Sequence, residues 1–395
     1  MLTFPFSPVP MKKSAPIDVN RIESLLVDIF EGDIHAKRIN SLANATLGVM
    51  KSSSLAIKAI GNGLAAGRGL SPKHAVKQVD RLLSNSKLDV DKLFEYWVPY
   101  SIGQRTEILV AMDWTEFDAD DHSTLAINLL TTQGRATPLL WKTVVKSTLK
   151  GRQVAHEKAL LKRLAETLPE GVKVTVVADR GFGSIERYAY IQETLGMDYI
   201  IRFKQNITVT DSKGKVGQAK DWIGRRGQAR CLRKAKLTQK NYEVATVICV
   251  QQKGMKNAWC IACSSETIST KEVQRYYNKR WGIETFFRDI KDIRYGMGLS
   301  YLRISNELRR DRLLLICAFS TVLLTLLGAA SEAAGLDKML KANTVTTRTH
   351  SLFHQGCLFY DLIPTLREDR LIKLLNEFDR LLLQYGWFQN ILEVV

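Results

Sequence analysis

Three carboxylates stand where they could act together on a phosphodiester. Asp113 ends the apolar run "EILVAMD" and Asp179 ends "VKVTVVAD". A carboxylate just past the carboxyl end of a buried strand faces the crevice where α/β folds bind ligands, although for either residue taken alone an ordinary turn aspartate is the commoner case. Glu284 lies in "YNKRWGIETFFRDIK" (277–291). Three converging carboxylates suit two Mg²⁺ ions, which prefer oxygen ligands and support phosphoryl transfer.

Residues 277–291 also carry cations at helical spacing around Glu284. On one continuous helix, a polar stripe fits within an arc of about 80°: Tyr277, Arg280, Glu284, Arg288 and Lys291. Ile283, Phe286, Phe287 and Ile290 fill the adjoining arc, so the stripe borders the buried side. Exposed ion pairs at this spacing would contribute only about 0.3–0.5 kcal/mol each and need no such border. The stripe therefore favours a site that holds phosphates beside the third carboxylate.

The charge balance indicates a polyanionic partner. The chain of 395 residues has 57 Lys and Arg against 40 Asp and Glu, a formal charge of +17. Residues 203–280 alone hold 17 basic and 5 acidic residues. A local excess of this kind favours a binding face for nucleic acid, or else for an anionic membrane surface.

Several features argue against other classes of protein. The six cysteines include one CxxC, Cys260 and Cys263, in an apolar run that predicts core-strand thiols in a reducing cytosol. The first 16 residues do not have the pattern of a signal peptide. The uncharged stretch 313–330 is short for a membrane span and predicts a buried helix. Asp118, Asp120, Asp121 and His122 predict a polar turn more than a second metal cluster.

The N-terminal part of the chain, 20–100, reads as short helices. Ser71 followed by Pro72 is a good helix start, and a second helix is predicted before it at 52–67. Lys73, Lys77 and Arg81 recur every four residues on one side of the later helix. The pattern suits a helix-turn-helix DNA reader, and it suits a plain helical bundle with a solvated basic face equally well.

The middle of the chain predicts a mixed sheet. Residues 106–204 read as three strands, a helix, a strand, a helix and a strand, which indicates an α/β fold with helices on the sheet faces. Residues 205–270 return to strands between basic turns and predict a β-rich insertion. Residues 271–395 are mainly helical.

These motifs resemble one known family. The spacing Y-x2-R-x3-E-x6-K, present as Tyr277, Arg280, Glu284 and Lys291, is similar to the YREK signature of the insertion-sequence-four family of DDE transposases. "VAMDWTE" and "VVADRGF" look like its two aspartate motifs. The segments 295–316 and 341–352 resemble its C-terminal region, especially in the bacterial transposon-ten type.

The resemblance implies a ribonuclease H-like catalytic core with a β-rich insertion before the catalytic glutamate. The expected regions are a helical DNA-binding region (1–100), the first part of the core (101–204), the insertion (205–270), the helix that completes the core (271–300) and a helical C-terminal region (301–395). Asp113, Asp179 and Glu284 would be the metal-binding triad, with two Mg²⁺ ions or Mn²⁺ as a substitute. Tyr277, Arg280 and Lys291, with Arg288 a weaker addition, would contact phosphates near the transposon end.

The same resemblance implies further partners and steps. Trp259, in the insertion, occupies the place of a tryptophan that stacks on a flipped base in relatives that form a DNA hairpin; a tryptophan packed inside the insertion is the alternative. The implied protein is a bacterial cut-and-paste transposase, cytoplasmic and bound to the nucleoid, that acts as a homodimer on transposon-end and target DNA. A structure-specific nuclease and a non-catalytic DNA-binding descendant of a transposase remain the rival hypotheses.

Overall fold

The computed structural model describes residues 17–30, 33–131, 135–294 and 296–383. Parts of the expected N-terminal and C-terminal regions, 1–16 and 384–395, lie outside the described residues, as does the N-terminal segment judged unlike a signal peptide.

One sheet of ten strands forms the centre of the molecule. Its strands are β1 Glu107–Phe117, β2 His122–Leu130, β3 Ala136–Val145, β4 Lys173–Ala178, β5 Asp198–Phe203, β6 Thr208–Thr210, β7 Val216–Gln218, β8 Arg230–Leu237, β9 Tyr242–Val250 and β10 Trp259–Cys263. The spatial order is β3-β2-β1-β4-β5-β10-β9-β8-β6-β7. β1 to β3 are antiparallel, whereas β1, β4 and β5 are parallel. This confirms the predicted mixed α/β core.

Helices cover the sheet and form both terminal regions. They are α1 Val19–Phe30, α2 Ala36–Ser52, α3 Ile57–Arg68, α4 Pro72–Leu83, α5 Val90–Ile102, α6 Gln153–Thr167, α7 Ile185–Ala189, α8 Thr270–Lys279, α9 Trp281–Lys291, α10 Glu307–Ala333, α11 Leu352–Leu362 and α12 Glu368–Leu383. α7 continues as one wider π-helical turn over 190–194. The predicted helix start at Pro72 is confirmed, although Ser71 makes no capping hydrogen bond through its side chain.

The predicted β-rich insertion does not build a sheet of its own. β10 pairs antiparallel with β5, so β6 to β10 extend the core sheet beyond its parallel strands. Cys260 of β10 lies opposite Cys249 of β9, and both thiols are buried and free. The CxxC therefore belongs to the sheet interior, as the apolar run predicted.

The apolar stretch 313–330 lies inside α10, which runs through the C-terminal half of the molecule. α10 is the one described helix that is long and apolar enough to cross a membrane, but 83% of its apolar window is buried in the protein. It packs against α2, α11, α12 and β3. Its residues are therefore the core of a helical layer, because burial against protein already removes their apolar surface from water.

The N-terminal helices pack closely on one another and on the rest of the chain. A Cβ at Gly61 of α3 would lie 2.6 Å from the Cα of Val76 in α4, so only glycine permits this approach. Arg309 of α10 donates to the Asp80 carboxylate at 2.7 Å. Arg312 donates to the carbonyl oxygens of Leu83 and Leu88 at 3.0 and 2.9 Å. The helices of the N-terminal region are thus tied to α10 through polar contacts as well as apolar packing.

Candidate active site

Asp113 and Asp179 are neighbours at one edge of the parallel strands. The register of β1 and β4 pairs Met112 with Ala178, so the two aspartates follow the last paired residues of both strands. The prediction that Asp113 ends its strand is wrong, because β1 continues to Phe117. That extension pairs with β2 alone, as far as the pair Phe117 and His122. Asp113 therefore stands where the parallel pairing stops but the antiparallel pairing goes on.

Burial and neighbouring charges set the protonation of Asp113. The pKa of Asp113 is raised to about 7, mainly by burial; the nearby Arg280 guanidinium opposes the rise, and the negative charges of Asp179 and Glu284 contribute to it. The backbone N–H of Trp114 donates to its Oδ1 at 2.9 Å. The influence of both other carboxylates on this pKa means that the three acidic groups share one electrostatic environment.

Asp179 is held by the turn that follows β4. The backbone N–H of Gly181 donates to its Oδ1 at 2.7 Å. A Cβ at Gly181 would lie 3.0 Å from that same oxygen, so a larger residue would crowd the carboxylate. The glycine after the strand thus orients Asp179 toward the edge where Asp113 lies.

Arg280 links two of the carboxylates. Its Nη1 lies 3.4 Å from Oδ2 of Asp113, and its Nη2 contacts Oε1 of Glu284. The side chain is only 10% exposed, and its Nε is buried without a hydrogen-bond partner among the described residues. Its guanidinium also lies over the rings of Tyr277 and Trp281, each 5.8 Å from the ring centroid. One cation therefore occupies the space between Asp113 and Glu284.

The segment 277–291 is not one continuous helix, contrary to the prediction. α8 ends at Lys279 and α9 begins at Trp281, with Arg280 between them. Hydrogen bonds from Arg280 N to Tyr277 O and from Ile283 N to Arg280 O tighten the chain locally. Gly282 lies close to β3, where a Cβ would be 3.3 Å from the Ala136 nitrogen. Arg280 itself keeps right-handed helical backbone angles, with φ −52° and ψ −30°, so the interruption is a single tightened turn.

Tyr277 and Trp259 pack against each other on the side of the insertion. Their rings meet edge to face with centroids 4.8 Å apart. Tyr277 is 3% exposed, and burial raises the pKa of its phenol against the opposing charge of Arg280. Trp259 is half-buried on β10. Tyr277 is thus a buried packing residue that contacts Trp259 and Arg280, whereas Trp259 itself is only half-buried.

Arg288 and Lys291, the two later cations of the stripe, differ in their exposure and in their hydrogen bonds. Arg288 is exposed. Lys291 donates to the Thr115 hydroxyl at 3.1 Å and to the Glu116 carbonyl oxygen at 2.8 Å, and burial lowers its pKa. Both line an open cleft of about 520 Å³ together with Asp113 and Glu284. Arg288 is therefore accessible to a ligand, whereas Lys291 would first have to break its hydrogen bonds to Thr115 and Glu116 of β1.

The same cleft contains residues that the sequence analysis did not select. Trp114 lines it and donates its indole N–H to Glu157 of α6 at 3.0 Å. Tyr301 also lines it, with a side chain 68% exposed. A large exposed aromatic residue is a signal for binding, but exposure outside a periodic element cannot be read from a sequence.

Lys73, Lys77 and Arg81 lie elsewhere, exposed on α4 and outside the cleft of the carboxylates. α3 and α4 are joined by residues 69–71, and Gly69 has a φ of 64°. A short turn that contains a glycine in the left-handed region is typical of helix-turn-helix units.

The acidic residues between β1 and β2 form a turn, as predicted. Asp118 pairs with Lys146 at 2.6 Å, while Asp121 accepts from Ser147. Asp120 pairs with the buried Arg310. Within the described part of the chain, no group of three acidic, histidine or cysteine side chains is arranged to hold a metal ion as it stands. In the predicted triad, Arg280 lies between Asp113 and Glu284.

Comparison with known proteins identifies the same region. A family model described as "Transposase DDE domain" matches residues 107–320, which are 214 of the 395 residues. The match spans β1 with Asp113, the turn with Asp179, and α9 with Glu284. No curated protein matches the chain. The chain belongs to the transposase DDE-domain family, with a ribonuclease H-like core between helical terminal regions.

Proposed function

We propose that this protein is a cut-and-paste DNA transposase of the insertion-sequence-four family, similar to the transposon-ten type. The observation that carries the proposal is the position of Asp113, which lies within the electrostatic influence of both Asp179 and Glu284 and shares the Arg280 guanidinium with Glu284. Membership of a transposase family supplies DNA as the substrate class. The order Tyr277, Arg280, Glu284 and Lys291 around this site supports the finer family assignment.

The residue types fit two divalent metal ions, Mg²⁺ or Mn²⁺. Asp113, Asp179 and Glu284 would supply the oxygen ligands that such ions prefer. Burial is the main cause of the raised pKa of Asp113, Asp179 and Glu284 add to it, and Arg280 is the cation that now opposes it. When bound, the ions lower the barrier to phosphoryl transfer by stabilising charge on the attacking and leaving oxygens. Arg280 has to leave the carboxylates before they can serve as ligands.

The cations around the triad would hold the DNA backbone. Arg288 is exposed in the cleft, and Arg280 and Lys291 border it, so their side chains can pair with phosphate oxygens after they release their present partners. Charged contacts of this kind position DNA without reading its sequence. Once Arg280 has left Asp113 and Glu284, its guanidinium would instead pair with a DNA phosphate at the cleavage point.

The proposed reaction starts with attack of water on a phosphodiester at the transposon end, which releases a 3′-hydroxyl. That hydroxyl attacks the opposite strand and forms a hairpin, which a second water opens. The final 3′-hydroxyl attacks target DNA. We propose that two copies of the chain hold the paired ends, in the cytoplasm at the nucleoid. The half-exposed Trp259 beside Tyr277 supports the hairpin route.

An assay with DNA that flanks the gene tests the proposal. We expect cleavage at the terminal repeat that depends on Mg²⁺, followed by joining of labelled 3′-ends to target DNA. Cutting without joining would favour a structure-specific nuclease, and binding without cutting would favour a non-catalytic descendant of a transposase. Both outcomes would contradict the proposal while leaving the fold unchanged.

Helix α4 is proposed to recognise the transposon end through Lys73, Lys77 and Arg81. We expect the full-length variant Lys73→Gln/Lys77→Gln/Arg81→Gln to lose most of its affinity for the terminal repeat. Because each lost contact with duplex phosphate lowers the salt dependence by about 0.9, the logarithmic slope should fall by about 2.7. Fluorescence anisotropy at several salt concentrations measures both quantities.

The matched control removes three charges at exposed residues elsewhere, as Lys150→Gln/Lys338→Gln/Lys373→Gln. It should keep the slope of the wild type. An α4 variant that prefers the terminal repeat over random DNA as strongly as the wild type would place recognition outside this helix.

Trp259 is proposed to stack on a base that leaves the duplex during hairpin formation. Such stacking contributes about 1–3 kcal/mol, so Trp259→Ala should slow hairpin formation by roughly 5- to 150-fold and leave first-strand nicking nearly unchanged. Gel analysis of both steps on one preparation measures the difference, and an abasic site at the flipped position should remove most of it.

Trp259→Phe is the matched control, because it keeps a ring against Tyr277. It should retain most of the hairpin rate. Equal losses of nicking and hairpin formation in Trp259→Ala, together with a lower melting temperature, would show that the indole only packs against Tyr277.

A further inference from the structure

A second open cleft adjoins the candidate active site on the other side of Arg280. It has a volume of about 620 Å³, and α8 forms one wall with Lys271, Gln274, Arg275 and Asn278. Trp281 and Gly282 continue this wall, and Gln252 from the end of β9 also lines the cleft. The Arg280 guanidinium lies 5.8 Å from the ring centroid of Trp281 and contacts Glu284 of the first cleft. Arg280 thus contacts a residue of each cleft.

The second cleft is strongly basic. Lys271, Arg275 and Lys279 line it without any acidic residue, and among the described residues none of the three forms an ion pair with a carboxylate. Glu272, the acidic residue of α8, instead accepts from the backbone of Ser269 at the start of the helix. Burial and the charge of Arg275 both lower the pKa of Lys279, as expected where cations gather without anions.

Its other side chains can contact bases. Gln252, Gln274 and Asn278 offer amide donors and acceptors, and Trp281 presents a ring that is 54% exposed. A positive groove with an aromatic wall is typical of surfaces that bind single-stranded nucleic acid. Its volume of about 620 Å³ lies within the range of pockets that enclose small ligands, about 300–1,000 Å³.

We propose that this cleft binds a single strand of DNA that runs on from the active site. The proposal rests on the proposed function, because that function supplies a strand separated from its partner beside Arg280. Lys271, Arg275 and Lys279 would hold successive phosphates, and the amides would meet the bases. A plain solvated basic face would not need the adjoining cleft, the exposed indole or walls whose described residues include no acidic side chain.

Binding of labelled oligothymidylate to the full-length protein tests the proposal without requiring cleavage. We expect Lys271→Gln/Arg275→Gln/Lys279→Gln to lower the affinity at least about tenfold and the salt slope by about 2, since single strands lose about 0.7 per phosphate contact. Binding of a blunt duplex carrying the terminal repeat should change by less than about threefold if α4 supplies most of its contacts. Arg275→Lys alone should keep most of the affinity because it keeps the charge.

The variant Lys150→Gln/Lys338→Gln/Lys373→Gln again removes three charges, outside both clefts, and should bind oligothymidylate like the wild type. A cleft variant that keeps the affinity and salt slope of the wild type would overturn the proposal, even in a preparation whose wild type cuts terminal DNA. Failure of the wild type to cut that DNA would overturn the proposed function, and the binding result is read independently of it.

Discussion

Asp113→Asn, Asp179→Asn and Glu284→Gln should each abolish cleavage of terminal DNA while leaving DNA binding nearly intact. Metal ligation needs the negative charge of the carboxylate, and the ions supply several kcal/mol of transition-state stabilisation. A loss of that size corresponds to at least about a thousandfold in rate. Binding depends instead on the basic residues and their contacts with phosphates. Cleavage of labelled ends with Mg²⁺, and anisotropy without it, measure the two properties.

Asp118→Asn is the matched control, because Asp118 is an exposed carboxylate in the turn after β1 and pairs with Lys146. It should cleave DNA at close to the rate of the wild type. If any one of the three triad variants retains near-normal cleavage with Mg²⁺, that residue has been wrongly assigned to the metal site.

Arg310→Ala should lower the free energy of unfolding by about 3–5 kcal/mol, because it leaves a buried carboxylate without its partner. The Arg310 side chain is completely buried, pairs with Asp120 and donates to Nδ1 of His122 at 3.1 Å. Its guanidinium also lies 3.8 Å from the ring centroid of Phe117. Urea-induced unfolding followed by circular dichroism measures the change.

Arg309→Ala is the control on the same helix. Arg309 pairs with Asp80, whose side chain is 56% exposed, so its loss should cost about 1 kcal/mol or less. The double variant Arg310→Met/Asp120→Asn should recover part of the loss, because an Asn oxygen can still accept from the Ile304 backbone at the position of Oδ2. Equal stability of Arg310→Ala and the wild type would contradict a structural role for this buried pair.

The sequence determined the local elements and their order. Apolar runs predicted the buried strands, such as β4, because a strand that is buried on both faces has few polar positions. The helical spacing of apolar residues predicted α4 and α6. The two aspartates that follow apolar runs indicated the edge of the sheet where ligands bind. The family resemblance then predicted a ribonuclease H-like core, which the order of β1 to β5 confirms. These features are readable because they depend on neighbours along the chain.

The tertiary structure decided everything that depends on pairing between distant segments. The backbones of β5 and β10 pair although more than fifty residues separate the two strands along the chain. No local sequence pattern encodes that register. The contact between Arg280 and Glu284 follows from their spacing along the chain, but the contact between Arg280 and Asp113 exists only because α9 packs near β1. The hydrogen bonds of Lys291 to Thr115 and Glu116 of β1 likewise join segments that are distant along the chain. The spacing of residues along the chain shows which side chains could lie on the same face of an element. Which of them contact one another depends on the free energy of the whole packed core.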